Sequence, residues 1–326
     1  MVISTNEGFV RFDPHSRKNH SGTVFISHAH GDHVRGLNSH VEGYITAETR
    51  DILLKREKAP VVNNLKTLRY SETVSINGLQ ITAHNSGHIL GSSLYEIKSQ
   101  ESTIVYTGDI NYRDMLTTIA AEVIPCDVLI LETTYGKPFY TFPSLIDIHA
   151  RILNWVIREI QKNRVPTFKV YSVGKAQEII KLFNKFTNIP VITSHTIAKI
   201  NEVYNANGVE LTYTDASTET GKQLSKLPCV QVISTHETPS IINRCSFAVA
   251  TGWALNGGHI STDAAFPLSN HADFDQLVEY VKSSQAKLVY TIHGFKDGFA
   301  QDISRKLGVS ARAIPPIKQN SLSSFL

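Results

Sequence analysis

The chain lacks most of what marks secreted or membrane-bound proteins. Its 326 residues include only three cysteines. Cys126, Cys229 and Cys245 each border an apolar, strand-like run, so they read as small buried side chains of a reducing compartment, not as bridges or ligands. No apolar run approaches the roughly 20 residues of a membrane span. The opening Met1-Val2-Ile3-Ser4-Thr5-Asn6-Glu7 has no basic region followed by an apolar core, so a secretory leader is not expected. An intracellular place, cytoplasm or nucleoid, is the expectation. Charge is sparse and nearly balanced: 32 Lys and Arg against 29 Asp and Glu leave +3. So small a surplus does not itself point to nucleic acid, and any groove for it must be basic locally. Internal repeats and low-complexity segments are missing. An apolar content of 41% and a charged content of 19% are those of an ordinary soluble globular protein, long enough for one large domain or two moderate ones.

Histidine, in contrast, is plentiful, with 14 in the chain. Four metal-type side chains crowd into Ser27-His28-Ala29-His30-Gly31-Asp32-His33. The apolar run Thr23-Val24-Phe25-Ile26 before it reads as a buried strand, and Gly31 with its polar neighbours as the turn leaving it. Imidazoles and a carboxylate at a strand end suit a borderline cation such as zinc. Three more strand-like runs lead into such residues beside a glycine: His88 after Leu79 to Ala83, Asp109 in Tyr106-Thr107-Gly108-Asp109, and His293 in Thr291-Ile292-His293-Gly294. Strand ends of a layered α/β fold converge on one edge, where ligands bind. His84, His149, His195, His236 and His259 have no such context and read as structural.

Up to about residue 135 the pattern is one of short strands: 23–27, 43–46, 73–76, 79–83, 93–97, 103–106 and 127–132. Asn77-Gly78 marks a hairpin. Helices are few there; the clearest is 47–58, ended by Pro60. The texture then changes. Residues 143–162 form an amphipathic helix with Leu145, Ile148, Ile152, Val156 and Ile160 on one stripe. Strand 167–171, helix 175–186, strand 190–193, helix 196–207 and strand 230–234 follow, a β-α-β-α alternation that predicts a small parallel sheet.

The motif His28-x-His30-x-Asp32-His33, then His88 and Asp109, resembles the metallo-β-lactamase fold. Glu132 in Leu129-Ile130-Leu131-Glu132-Thr133-Thr134-Tyr135-Gly136, His271 in Leu268-Ser269-Asn270-His271-Ala272-Asp273, and His293 resemble the three extra motifs of its β-CASP branch of nucleic-acid phosphodiesterases. Tyr171-Ser172-Val173-Gly174-Lys175-Ala176-Gln177-Glu178 and Ala250-Thr251-Gly252-Trp253 are similar to it as well. The resemblance runs from about Phe9 to about His293. Within the branch it is nearest to ligase-associated DNA exonucleases. The Thr-Gly-Trp string also resembles crosslink-repair DNA nucleases, which lack a histidine at the third extra motif; this chain has His293 there.

The resemblance implies an αββα sandwich, an α+β fold, at 1–138 and 247–315, with an α/β β-CASP cap inserted at 139–246. It implies a two-zinc nuclease, with manganese able to substitute. His28, His30 and His88 would hold one metal and Asp32, His33 and His293 the other, with Asp109 bridging. His271 would be general acid, Glu132 its hydrogen-bond acceptor, and Asp32 a further catalytic carboxylate. Asp273 is a candidate carboxylate behind a ligand histidine. Ser172, Gly174 and Lys175 make a strand-to-helix turn suited to a terminal phosphate, and Trp253 suits base stacking. The expected activity is a DNA exonuclease, 5′→3′, in repair or replication. The alternatives are an RNA-processing β-CASP ribonuclease, a small-molecule lactamase-fold hydrolase and an inactive scaffold; the last conflicts with the complete ligand set. The tail, 316–326, resembles the box that binds the sliding clamp PCNA: Gln319 as polar anchor, with Leu322, Phe325 and Leu326 on one face of a helical turn after Pro315-Pro316. A DNA ligase or repair helicase is a further expected partner.

Overall fold

The computed structural model describes residues 1–16, 22–38, 42–56, 62–241, 244–256 and 261–315. His259 and the clamp-like residues Gln319, Leu322, Phe325 and Leu326 lie outside them. Three sheets organise the described chain. The first is β1 (Val2–Thr5), β2 (Gly8–Phe12), β3 (Thr23–Phe25), β4 (Gly43–Ile45) and β5 (Leu65–Thr67), in that order. The next strands are β6 (Thr73–Ile76), β7 (Leu79–Asn85), β8 (Ser93–Lys98), β9 (Thr103–Tyr106) and β10 (Val128–Glu132). A third group is β11 (Val165–Val170), β12 (Val191–Thr193), β13 (Thr214–Asp215), β14 (Val230–Ser234), β15 (Cys245–Ala250) and β16 (Ala264–Phe266), and the last strands are β17 (Leu288–Ile292) and β18 (Ser310–Ala313). The second sheet runs β18-β17-β10-β9-β8-β7-β6, and the third β13-β12-β14-β11-β15-β16.

The first two sheets face each other. Phe12 and Phe25 of the first interlock with Ile81, Tyr95 and Tyr106 of the second in one buried cluster. Alternation explains it: along β7, Leu79, Ile81 and Ala83 turn inward while Gln80 is exposed. Asn77 and Gly78 both take positive φ, +50° and +74°, giving the hairpin whose strands pair at Ile76 and Leu79. Helix α1 (Ala47–Leu54), capped by Thr46, packs Ile52 and Leu53 onto the outer face of the first sheet. The outer face of the second is covered late in the chain by α6 (Phe274–Ser284) and α7 (Lys296–Leu307), through Leu277, Tyr280, Phe299 and Ile303. This is the expected αββα layering.

The third sheet is wholly parallel and carries α2 (Leu145–Gln161), α3 (Lys175–Phe186), α4 (His195–Ala206) and the short α5 (Glu219–Leu224). The α2 stripe buries Ile148, Ile152, Trp155 and Val156. Its core is continuous with the outer face of the first sheet, since Val24, Ile45 and Ile52 share a cluster with Phe168, Phe183 and Val232. One expected boundary changes. β15 and β16 pair with the third sheet, although the sequence reading returned the chain to the first domain at residue 247. A six-residue apolar run looks alike in either body, and only its hydrogen-bonding neighbour decides. We propose a return near residue 267.

Candidate metal centre

Five elements bring the site together. The parallel strands β9, β10 and β17 lie side by side, so Asp109, Glu132 and His293 emerge from neighbouring ends at one edge. β3 delivers His28, His30, Asp32 and His33 beside them, and the β7–β8 connection delivers His88. Close approach at this edge requires Gly108: it sits at φ +54°, and a Cβ would come within 2.7 Å of the Ser27 Cβ.

The histidines point one nitrogen outward to a protein oxygen and one inward. His30 Nε2 lies 3.3 Å from Val173 O, and His88 Nδ1 lies 2.9 Å from Asn270 O. A carbonyl only accepts, so those nitrogens carry the hydrogens. The inward atoms, His30 Nδ1 and His88 Nε2, are 3.0 Å apart. Both side chains are held neutral. Burial, followed by the neighbouring histidines, drives His88 well below the ordinary histidine value, and burial with His28 pushes His30 down to about 3. Two lone pairs therefore face each other, an arrangement that a shared cation stabilises.

His28 Nε2 completes the group, 3.1 Å from His30 Nδ1 and 3.4 Å from Asp109 Oδ2; His88 Nε2 is 3.6 Å from the same oxygen. Four donors around one zinc at about 2.0–2.1 Å lie roughly 3.3 Å from each other. The residues fit such an ion. Asp109 itself stays ionised: burial opposes this, but His33 and His28 outweigh it and hold its carboxyl well below the usual range.

The second set is more open. His33 Nε2 reaches Asp109 Oδ1 at 3.4 Å and Asp32 Oδ2 at 3.7 Å, and the Asp32 side chain is 58% exposed. His293 lines the same cavity, its ring centroid 5.9 Å from that of His33. His293 holds φ +56°, an uncommon conformation for a non-glycine residue. Thr133 Oγ1 donates to its carbonyl at 2.7 Å.

Asp13 escaped the sequence reading. It follows β2, is 1% exposed, and accepts from His33 Nδ1, Tyr106 OH and both the backbone N–H and hydroxyl of Ser27, at 2.6–2.8 Å. It fixes which nitrogen His33 turns to the site. Burial opposes the charge on each partner, but Asp109 and then Asp13 raise His33, and His33 in turn lowers Asp13. The only local signal is a lone carboxylate directly after the short run Gly8–Phe12.

His271 Nδ1 bonds Glu132 Oε1 at 2.9 Å, and its Nε2 stands 4.0 Å from Asp109 Oδ2. Glu132 is fully buried and also takes the backbone N–H of Thr134 at 2.8 Å. Burial alone would depress His271, but Glu132 and then Asp109 raise it above the ordinary histidine value.

A cavity of about 390 Å³ opens over this group and is lined by His30, Asp32, His88, Asp109, His271 and His293, among others. Ser172, Lys175 and Trp253 line it as well. Gly174 does not: its φ of +84° and a Cβ position 2.3 Å from Ile89 Cγ2 make it a close-packing residue behind His88. Lys175 is not an outward cation either. It is 6% exposed, its Nζ donates to Leu268 O at 2.8 Å, and burial lowers its pKa to about 7. Asp273 is a helix cap and no partner to a ligand histidine: it accepts from Gln276 N and Phe142 N, each at 2.9 Å. A further residue missed in the sequence is Asn270. It is 5% exposed, lines the cavity, and its Nδ2 has no partner among the described residues.

Comparison with known proteins agrees with this fold. Residues 27–120 match the metallo-beta-lactamase superfamily domain, and residues 264–315 match the Zn-dependent metallo-hydrolase RNA specificity domain. The chain is 30% identical over 303 residues to a probable DNA ligase of Opitutus terrae, a match covering 89% of this chain and 28% of that protein. It is 28% identical over 206 residues to an RNase J-like protein of Methanocaldococcus jannaschii, 56% of this chain and 49% of the other. Against cleavage and polyadenylation specificity factor subunit 3 of Dictyostelium discoideum it is 26% identical over 195 residues, 55% and 24%. The chain thus spans between a quarter and a half of these relatives. A crystal structure of an Enterococcus faecalis protein of unknown function shares the fold, with a TM-score of 0.62 at 16% identity over 90% of this chain and 79% of that one. By its fold and its matched domains the chain has the metallo-β-lactamase architecture, and it is similar to the metal-dependent β-CASP nucleases of that superfamily.

Proposed function

We propose that the chain is a DNA exonuclease working 5′→3′ in repair or replication, with two zinc ions that manganese can replace. The observation that carries the reading is Asp109. One of its carboxylate oxygens faces His28 and His88 and the other faces His33, beside a histidine that is not part of the tight ligand group. Metals held there would polarise the phosphodiester and supply an activated water near neutral pH. His28, His30, His88 and Asp109 would hold one, and Asp32, His33 and His293, sharing Asp109, the other. Glu132 fixes the His271 Nδ1 hydrogen and favours a protonated ring, so Nε2 holds a proton toward the cavity for the leaving oxygen. Asn270 Nδ2, buried and without a partner among the described residues, is placed to donate to a phosphoryl oxygen as charge develops on it.

The likeness to a protein named a probable DNA ligase, over 89% of this chain, favours DNA. The RNA-specificity name of the second matched domain and the names of other relatives favour a second reading, an RNA-processing nuclease. End-labelled DNA and RNA of one sequence, each with a 5′-phosphate or a 5′-hydroxyl, separate the two. Progressive shortening of DNA alone from the 5′ end is expected, whereas faster loss of RNA would install the second reading. The tail residues Gln319, Leu322, Phe325 and Leu326 would bring the nuclease to DNA ends through PCNA, where a ligase or helicase also acts.

A further inference from the structure

Beside the cavity lies an aromatic surface that metal chemistry does not require. Six aromatic side chains are strongly exposed among the described residues, and two of them, Tyr171 and Trp253, line this cavity. A third, Phe139, stands beyond Trp253. Trp253 is 45% exposed and Phe139 51%. Both rest on Tyr140, which is 5% exposed, with ring centroids 5.4 and 4.5 Å from it. Phe295, half-buried, stacks on Tyr140 at 5.7 Å between them. Tyr135 supports Trp253 at 4.8 Å. Gly252 permits that support, because a Cβ there would strike Tyr135 Cζ at 2.5 Å. Two open ring faces are thus held rigidly by buried rings, starting at the wall of the cavity.

From this surface, and resting on the nuclease reading above, we infer that Trp253 and Phe139 form a ledge on which successive bases of a single-stranded nucleic acid stack. Stacking on aromatic rings needs an unpaired base with a free π-face, which a duplex does not offer. The rings share one support, so neighbouring bases of one strand reach both. Charge agrees as well. Lys137 is exposed, its Nζ lies 4.5 Å from the Phe295 centroid and 5.6 Å from that of Phe139, and no carboxylate pairs with it among the described residues. It is free to follow the backbone phosphates. The ledge is indifferent to base identity and sugar, so it selects strandedness, not DNA over RNA.

The test is binding of a fluorescent phosphorothioate strand, which resists cleavage, measured by anisotropy with the full-length, metal-loaded protein. Three ligands are compared: the single strand, its duplex, and the same strand with abasic sugars. The single strand is expected to bind more tightly than both others. Phe139→Ala should weaken it roughly five- to 150-fold, the range for one stacked base, and Phe139→Trp should restore it. Equal binding of the abasic and normal strands would overturn the ledge without any variant. So would unchanged binding by a folded Phe139→Ala protein. Hydrolysis of bis(p-nitrophenyl) phosphate by the unaltered protein reports on the metal cavity separately. Activity there with strand binding indifferent to Phe139 removes the ledge and keeps the nuclease. No cleavage of any diester with base-dependent binding removes the nuclease and keeps the ledge as a nucleic-acid site.

Discussion

Glu132 and His271 divide one job between a buried charge and a ring that titrates. Because Glu132 and Asp109 raise the His271 pKa, the acid form persists above the ordinary histidine range. As pH rises through that raised value the acid is lost, so kcat/KM should fall on the alkaline side. Glu132→Gln removes the charge that favours protonation, and the alkaline limb should move to lower pH; a limb that stays in place would assign it to another group. His271→Ala should cost about 10²- to 10⁴-fold in cleavage, the usual contribution of a general acid, while metal content stays near that of the unaltered protein. Elemental analysis checks this together with the identity of the metal. Loss of one ion per chain in the variant would make His271 a ligand, and less than one ion in the unaltered protein purified without chelators would count against the whole assignment.

At the scale of elements, the site depends on where strands stop. Asp109 and Glu132 stand at the ends of the parallel strands β9 and β10, and Gly108 lets the first of these ends pass Ser27. Gly108→Ala should therefore lower metal affinity and the melting temperature together, since its φ is unfavourable for alanine and its Cβ would press on Ser27. Asp273 acts on α6 instead. Asp273→Ala removes an N-cap bond and leaves the Phe142 N–H unpaired, a loss of about 1–2 kcal/mol read by denaturant unfolding. It should leave metal content near normal, because the cap touches no ligand.

For the whole molecule, the third-sheet body takes part in the centre, since Val173 O, just past β11, orients His30. Chelation should therefore lower the melting temperature of the full chain, by removing a ligand bound only by the folded state. A chelated protein that melts like the loaded one would mean that the inward nitrogens need no cation. The tail is tested apart from the core. A Gln319 to Leu326 peptide should bind PCNA in calorimetry, and Phe325→Ala with Leu326→Ala should weaken clamp binding at least about tenfold, roughly 1.4 kcal/mol, with cleavage of naked DNA retained. Absence of binding at high micromolar peptide would remove that partner.

Much of the architecture was legible in the chain, because burial imposes periodicity. The β7 alternation, the α2 stripe and the Asn77-Gly78 turn are local consequences of which side chains meet water, and the expected 175–186 helix is observed at those residues. The candidate ligands were legible too, since imidazoles and carboxylates after apolar strands announce themselves by type and spacing. What tertiary structure alone decided was direction and company. Asp13 matters through contacts with residues 14 to 93 positions away, which no local pattern records. Lys175 and Gly174 were read from a helix start, and their roles changed because Leu268 and Ile89, distant in sequence, pack against them. β15 and β16 went to the third sheet because hydrogen-bonding partners, not propensity, fix where a short apolar strand belongs. A sequence lists the groups that can hold a metal or a base; only packing sets which nitrogen faces inward and which ring stays open.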